Sequence, residues 1–228
     1  MRVSSGVPGF DQLVEGGLLP ERLYVISGPP GSGKTTFSSQ FITQGVKEGE
    51  QCLYVTMHET KRELMQDMAG FEFGFDRAMQ SDSIQFLNLV TESGKRTITQ
   101  FGTDGGLTNR LVAFIDTHDI DRAIIDSTML LQHFFSDMAD EITGFLSALK
   151  QTEATIVLIS EMTDPTSYSD EHYLAHGVVF FHNFLDSGGM KRGVQVIKMR
   201  GTAIDTDIRE ISFSEQGLRV HPDKKVQP

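Results

Sequence analysis

The segment Gly28-Pro29-Pro30-Gly31-Ser32-Gly33-Lys34-Thr35 constrains this chain more than any other feature. It satisfies the pattern G-x-x-x-x-G-K-[ST]. An apolar run, Leu23-Tyr24-Val25-Ile26-Ser27, stands directly before it, and an amphipathic stretch, Lys34 to Glu48, directly after. A strand that runs through such a loop into a helix makes a phosphate cradle. Its glycines let the backbone curl until successive N–H groups point inward at a β-phosphate, and the helix N-terminus adds its positive dipole. Lys34 is expected to reach the β- and γ-phosphates, the Thr35 hydroxyl to ligate Mg²⁺, and Thr36 to assist at the α-phosphate. ATP with Mg²⁺ is the expected ligand, held along Gly28, Pro29, Pro30, Gly31, Ser32, Gly33, Lys34, Thr35 and Thr36. A merely flexible glycine turn is the alternative, and the flanking strand and helix patterns oppose it.

The rest of the chain alternates in the same way. Strands are expected at Cys52–Thr56, Ile84–Val90, Ala123–Asp126 and Thr155–Ile159. Helices are expected over Lys61–Gly70 (closed by its glycine), over Leu107–Thr117, and through Glu141, Phe145, Leu146 and Leu149. Such alternation predicts an α/β fold, a mostly parallel sheet flanked by helices on both faces. After Asp164 the pattern changes. Gly177–Phe184, Gly193–Arg200 and Glu210–Phe213 are apolar runs joined by short turns, expected as a C-terminal β-meander at one sheet edge. Thr91 to Asn109, rich in Gly, Ser and Thr, is the longest expected loop, and the polar tail from about His221 is expected to fray. Residues 1–228 are expected to form one domain.

Composition bounds the partners. With 20 Lys+Arg against 31 Asp+Glu the net charge is -11, which opposes a broad nucleic-acid surface. The single cysteine, Cys52, excludes an internal disulfide and is expected as a buried strand residue. Neither a secretory leader in Met1–Gly6 nor an apolar run of membrane-spanning length is present, so a soluble, cytoplasmic protein is expected.

A phosphate loop needs a carboxylate at the end of a nearby strand to position the metal. Asp126, closing Ala123-Ile124-Ile125, suits that role, because a carboxylate there is costly unless it faces a cleft or a cation. Capping a following helix is its alternative.

With these parts in place, nearly the whole chain resembles the KaiC family of RecA-like ATPases. The resemblance rests on Gly6-Val7-Pro8-Gly9-Phe10-Asp11, Glu15-Gly16-Gly17-Leu18, Tyr54 to Thr60, Leu149-Lys150-Gln151, Lys198-Met199-Arg200-Gly201-Thr202 and Asp207-Ile208-Arg209-Glu210. It implies a RecA-like core with a single ATPase repeat. In the family, two adjacent glutamates after the second strand act on the attacking water. Here the pair is His58-Glu59, so Glu59 is implied as catalytic base, with a helix cap as its alternative, and His58 implies slow hydrolysis. Lys198 and Arg200 lie two apart on an expected strand and so share a face. The family's matching Lys-x-Arg reaches the nucleotide of a neighbouring subunit, which implies a homo-oligomeric ring, most simply a hexamer, with Lys34, Lys198 and Arg200 as catalytic cations. A solvated strand edge is the alternative.

The resemblance implies a regulatory or signalling ring acting on an unidentified protein. Two other functions compete. One is a recombination accessory ATPase binding single-stranded DNA through Lys95, Arg96, Phe101 and Arg110, a thin constellation on an acidic chain. The other is an autokinase. The family's Ser-Thr acceptor pair falls on His172-Tyr173, leaving Tyr173, Ser167 or Ser169 as acceptors. His172 and His176, four apart, lack the third ligand that a zinc site needs.

Overall fold

The computed structural model describes residues 1–100, 106–128, 138–186 and 188–226. The first strand, β1 (Leu23–Gly28), leads through the glycine loop into helix α1 (Lys34–Glu48). Next come β2 (Cys52–Thr56), α2 (Lys61–Asp67), α3 (Phe75–Gln80), β3 (Ile84–Asn88), α4 (Glu92–Thr99) and α5 (Leu107–Thr117). Then follow β4 (Arg122–Asp126), α6 (Met138–Leu149), β5 (Thr155–Glu161) and α7 (Asp170–Leu174). The chain closes with β6 (Gly177–Asp186), β7 (Gly189–Met199), β8 (Arg209–Ser214) and β9 (Gly217–Lys225). Among the described residues these strands form one sheet in the order β3-β2-β4-β5-β1-β6-β7-β8-β9. Pairing is parallel from β3 through β6 and antiparallel from β6 through β9.

Continuous apolar runs make β1, β2 and β4 buried along their whole length, as strands covered on both faces must be. Strand alternation divides the core into two layers. Tyr24, Ile26, Tyr54, Ile124 and Val157 pack with Phe37 and Phe41 of α1. Leu23, Val25, Leu53, Ile125 and Leu158 pack with Leu111 and Phe114 of α5 and Phe145 and Leu146 of α6. Cys52 is buried in β2 as expected, and burial pushes its thiol up to about 12. Arg122 is fully buried at the start of β4. Its guanidinium meets the carboxylates of Glu48 and Glu50, donates to the carbonyls of Ser4 and Phe41, and lies over the Phe41 ring. The cation thus ties the end of α1 and the N-terminal segment to the sheet.

Several sequence expectations are corrected. Thr91–Asn109 is not one loop. Thr91 caps α4 by accepting from the Gly94 N–H at 3.1 Å, Ile98 is buried, and α5 begins at Leu107. That one buried Ile98 in a polar octapeptide leaves almost no periodic signal. Helix α2 stops at Asp67 with Met68 as its C-cap, so Gly70 does not close it. Strand β3 ends at Asn88, whose side chain accepts from the Val90 N–H at 3.0 Å and turns the chain. The tail does not fray at His221. It continues as β9 to Lys225 because β8 supplies a partner, and the Val226 N–H donates to Ile208 at 2.9 Å. The meander therefore has four strands, and β6 joins it to β1 by parallel pairing. No sequence signal was read for α3 or α7.

Candidate functional site

The loop after β1 is shaped by backbone that only glycine adopts easily. At Gly33, φ is +110°, and a Cβ would stand 2.7 Å from the Phe213 ring. At Gly28, φ is +148°, and a Cβ would stand 2.5 Å from the Phe181 carbonyl. The loop opens onto a cavity of about 420 Å³ lined by Gly31 to Thr36 together with Phe71, Arg192 and Phe213. Lys34 is mostly buried. Its Nζ donates to the carbonyls of Gly28 at 2.8 Å and Pro29 at 3.0 Å. Burial lowers its pKa, while the charges of Glu161 and Asp126 pull the other way. The Ser32 hydroxyl is buried within the loop with no partner among the described residues.

The acids lie at the C-terminal ends of the parallel strands. Asp126 ends β4 at 6% exposure. The Tyr54 hydroxyl donates to one carboxylate oxygen at 3.3 Å, and His58 Nε2 stands 3.5 Å from the other. This contact is the largest cause of the raised His58 pKa. The Ser127 hydroxyl beside it is buried, with no partner among the described residues. Glu59 is half-buried just past β2. Burial first, and the Asp126 charge second, hold its carboxyl above the usual range. It does not cap α2. Thr60 fills that role in a capping box with Glu63, its hydroxyl accepting from the Glu63 N–H at 3.2 Å. For Asp126 the capping alternative falls on residues 129–137, outside the described residues.

Four further residues join the site: Glu161, Arg192, Phe213 and Phe71. Glu161 ends β5 in register with Gly28, and the criterion that found Asp126, an acid closing a buried strand, would have found it too. Arg192 on β7 donates to the Gly31 carbonyl at 3.3 Å and covers the Phe213 ring at 5.4 Å. No local pattern marks Arg192 or Phe213, since long-range pairing alone brings them to the loop. Phe71, in the aromatic segment Phe71-Glu72-Phe73-Gly74-Phe75, lines the cavity and stacks on Phe73.

Lys198 and Arg200 share a face, although Arg200 lies one residue beyond β7. Both donate to the Tyr173 carbonyl, at 2.9 Å and 3.3 Å, and neither lines the phosphate-loop cavity of its own chain. His172 and His176 do not share a helix face, because α7 ends at Leu174. Among the described residues no group of three His, Cys, Asp or Glu is placed to hold a metal ion. Lys95 lies 3.8 Å from Glu92, and Phe101 lies outside the described residues. Tyr173 is 64% exposed, whereas Ser169 is engaged with His172. No described helix is long and apolar enough to cross a membrane.

Known proteins agree with this architecture. The family model described as "ATPase: KaiC" matches residues 3–225. UPF0273 protein PH0284 of Pyrococcus horikoshii is 30% identical over 238 residues, covering 99% of this chain and 96% of that one. Circadian clock protein KaiC3 of Synechocystis is 29% identical over 209 residues, covering 88% of this chain but 41% of that one. The chain therefore spans less than half the length of that clock relative. The crystal structure of KaiC-like protein PH0186 from Pyrococcus horikoshii superposes with a TM-score of 0.82 at 26% identity, covering 97% of this chain and 99% of that one. The chain belongs to the KaiC ATPase family and has its RecA-like P-loop fold.

Proposed function

We propose that this protein binds Mg-ATP in the loop cavity and hydrolyses it, in a ring where each site is completed by a neighbouring copy. The observation that carries this reading is the placement of Lys34. Its ammonium rests on loop carbonyls of its own chain while facing the charges of Asp126 and Glu161. A triphosphate would offer that ammonium full negative charge in place of carbonyl dipoles.

The chain's own residues then divide the work. The loop N–H groups and the α1 dipole hold the β-phosphate. Phe213 and Phe71 offer ring faces to the nucleobase, with Arg192 above Phe213. Glu59 takes the proton of the attacking water, and its raised pKa keeps it basic enough to do so. His58 holds Asp126 in place from the position where the family has a second acid. That exchange supports slow turnover. Lys198 and Arg200 of the adjacent copy would meet the charge that develops on the γ-phosphoryl group.

The Thr35 hydroxyl and the Asp126 carboxylate are hard oxygen donors, and the buried hydroxyls of Ser32 in the loop and Ser127 beside Asp126 are two of the four serine hydroxyls without a partner among the described residues. These residues would hold Mg²⁺, which when bound would neutralise charge on the phosphates. The ring, most simply a hexamer in the cytoplasm, is proposed to regulate another protein.

Phosphate release from Mg-ATP, together with the mass of the assembly with and without Mg-ATP, tests the reading. Release that Lys34→Ala abolishes, on an assembly larger than a monomer, is the expected result. Tight binding without turnover would leave a nucleotide-gated scaffold instead.

A further inference from the structure

Helix α7 lies between two groups of residues that the proposed function assigns to different ATP molecules. Its first turn is tied to the strands that carry this copy's own phosphate loop. His172 is 2% exposed, and its Nε2 lies 2.7 Å from the hydroxyl of Ser27, the residue before Gly28. The Ser169 backbone N–H donates to His172 Nδ1 at 3.2 Å. A backbone amide can only donate, so Nδ1 carries no proton and Nε2–H donates to Ser27. Beside it the Ser160 hydroxyl donates to the buried Glu171 carboxylate at 2.9 Å. Ser160 in turn precedes Glu161, the register partner of Gly28.

The last turn of α7 is held differently. A helix end leaves its final carbonyls without helical donors and carries partial negative charge, which cations satisfy. Three cations do so here, two at the end of β7 and one at the end of α6. Lys198 Nζ donates to the His172 carbonyl at 3.0 Å and to that of Tyr173 at 2.9 Å. Arg200 donates to Tyr173 at 3.3 Å, and Lys150 of the α6 terminus to Leu174 at 3.1 Å. His172 therefore carries both links. Its imidazole holds the strand leading into the phosphate loop, and its carbonyl holds Lys198.

We propose that His172 is a positioning residue acting in trans: anchored on Ser27, it fixes α7 and thereby aims Lys198 and Arg200 at the nucleotide of the adjacent copy. The inference rests on the reading that neighbouring copies complete each site. The α7 carbonyls serve as a stand-in anion, holding both side chains extended near the orientation in which phosphate oxygens replace the carbonyls as acceptors. A displacement of about 1 Å at such a site costs on the order of 10²-fold in rate, so a loosened α7 has a measurable effect.

Mixed rings separate this role from any effect on the residue's own pocket. Copies carrying Lys34→Ala lack a working pocket but offer intact cations, whereas copies carrying Arg200→Ala have the pocket and lack one of the two cations. Mixing the two restores hydrolysis through mixed interfaces. Adding His172→Ala to the Lys34→Ala copies is expected to cut the restored kcat about tenfold with KM unchanged. Adding it to the Arg200→Ala copies is expected to change the rate less than about twofold. His172→Gln, which keeps a donor for Ser27, restores the rate. Should His172→Ala fail to fold, Ser27→Ala removes the same hydrogen bond from the strand side and is expected to show the same asymmetry. Equal losses on both kinds of copy, or no loss on the cation-donating copy, overturn the proposal. A wild-type enzyme that hydrolyses ATP while the mixture recovers nothing overturns the neighbour-completed site instead.

Discussion

Strands β1, β4 and β5 end in a phosphate loop and two acids, whereas the cations outside that loop to which the proposed function gives roles come from β7 and the residue just after it. Parallel strands point all their C-termini the same way, so Gly28, Asp126, Glu161 and the His58-Glu59 pair gather at one rim without further arrangement. The antiparallel half spreads its chemistry along one strand. Arg192 pairs across to Asn183 near the phosphate loop, while Lys198 pairs with Val178, which lies beside Val25 deep in the sheet. One end of β7 thus lines the cavity of its own chain, and in the proposed ring the other end would serve a neighbouring one. On that proposal the parallel rim assembles a pocket, and the meander would distribute charge between pockets.

The most forceful way to break this division is Arg200→Ala. A cation supplied in trans is worth about 10³-fold or more in kcat, and a loss of that size is expected with nucleotide binding and assembly intact. Single-turnover phosphate release on the assembled protein measures it, and a change under about threefold would return Arg200 to the status of a surface cation. Glu59→Gln tests the opposite half. Removing a general base is expected to cost about 10²-fold. Because burial and Asp126 raise the Glu59 pKa, the carboxylate is lost as pH falls through a value above the usual range. The acid limb of the wild-type rate profile should therefore stand above that of an ordinary glutamate, and should vanish in the Gln variant.

The two halves were unequally legible in the sequence for the same physical reason. Ala123-Ile124-Ile125-Asp126 announces a buried strand with a functional end in four consecutive residues, and the phosphate loop does so in eight. Glu161 carries the same local signal after Thr155 to Ser160. Arg192 and Phe213 carried none, because what makes them part of the cavity is pairing of β7 with β6 and β8 across long stretches of chain. The C-terminal strand β9 looked like a polar tail for a related reason. Its Pro222-Asp223-Lys224-Lys225 end faces solvent, and only the partner strand makes it a strand. Local patterns report what a segment buries by itself, and edge strands bury little.

Phe213→Ala sharpens the comparison from the meander side. Stacking of a base on an aromatic ring contributes about 1–3 kcal/mol, so the substitution is expected to weaken ATP binding about tenfold. Phosphate-loop contacts are left in place, so kcat at saturation should change less than affinity. Titration with a fluorescent ATP analogue reads the difference. A fall in kcat without a change in affinity would mean that Phe213 supports Gly33, against which its ring packs, and not the base.

The smallest expected effect uses the histidines, which divide along the same line. In the parallel half, His58 is raised, first by its contact with Asp126. Its stabilising contribution is complete below the ordinary histidine pKa of 6.5 and is lost as pH rises through the higher folded value. In α7 and β6 the sign reverses. Burial lowers His172 and His182, and lowers His176 to about 4, so these three favour the folded state only when neutral. Their contribution is present above 6.5 and is lost as pH falls below it, for His176 toward about 4. Denaturant midpoints measured between pH 4 and pH 8.5 should therefore fall on the acid side, with His172→Gln flattening that limb and His58→Gln flattening only the shallower alkaline one. An acid limb unchanged by His172→Gln would mean that the imidazole on Ser27 already binds its proton in the folded state. That would contradict the donor direction assigned from the Ser169 amide, and the link from β1 to α7 would have to run through the Ser160–Glu171 contact alone.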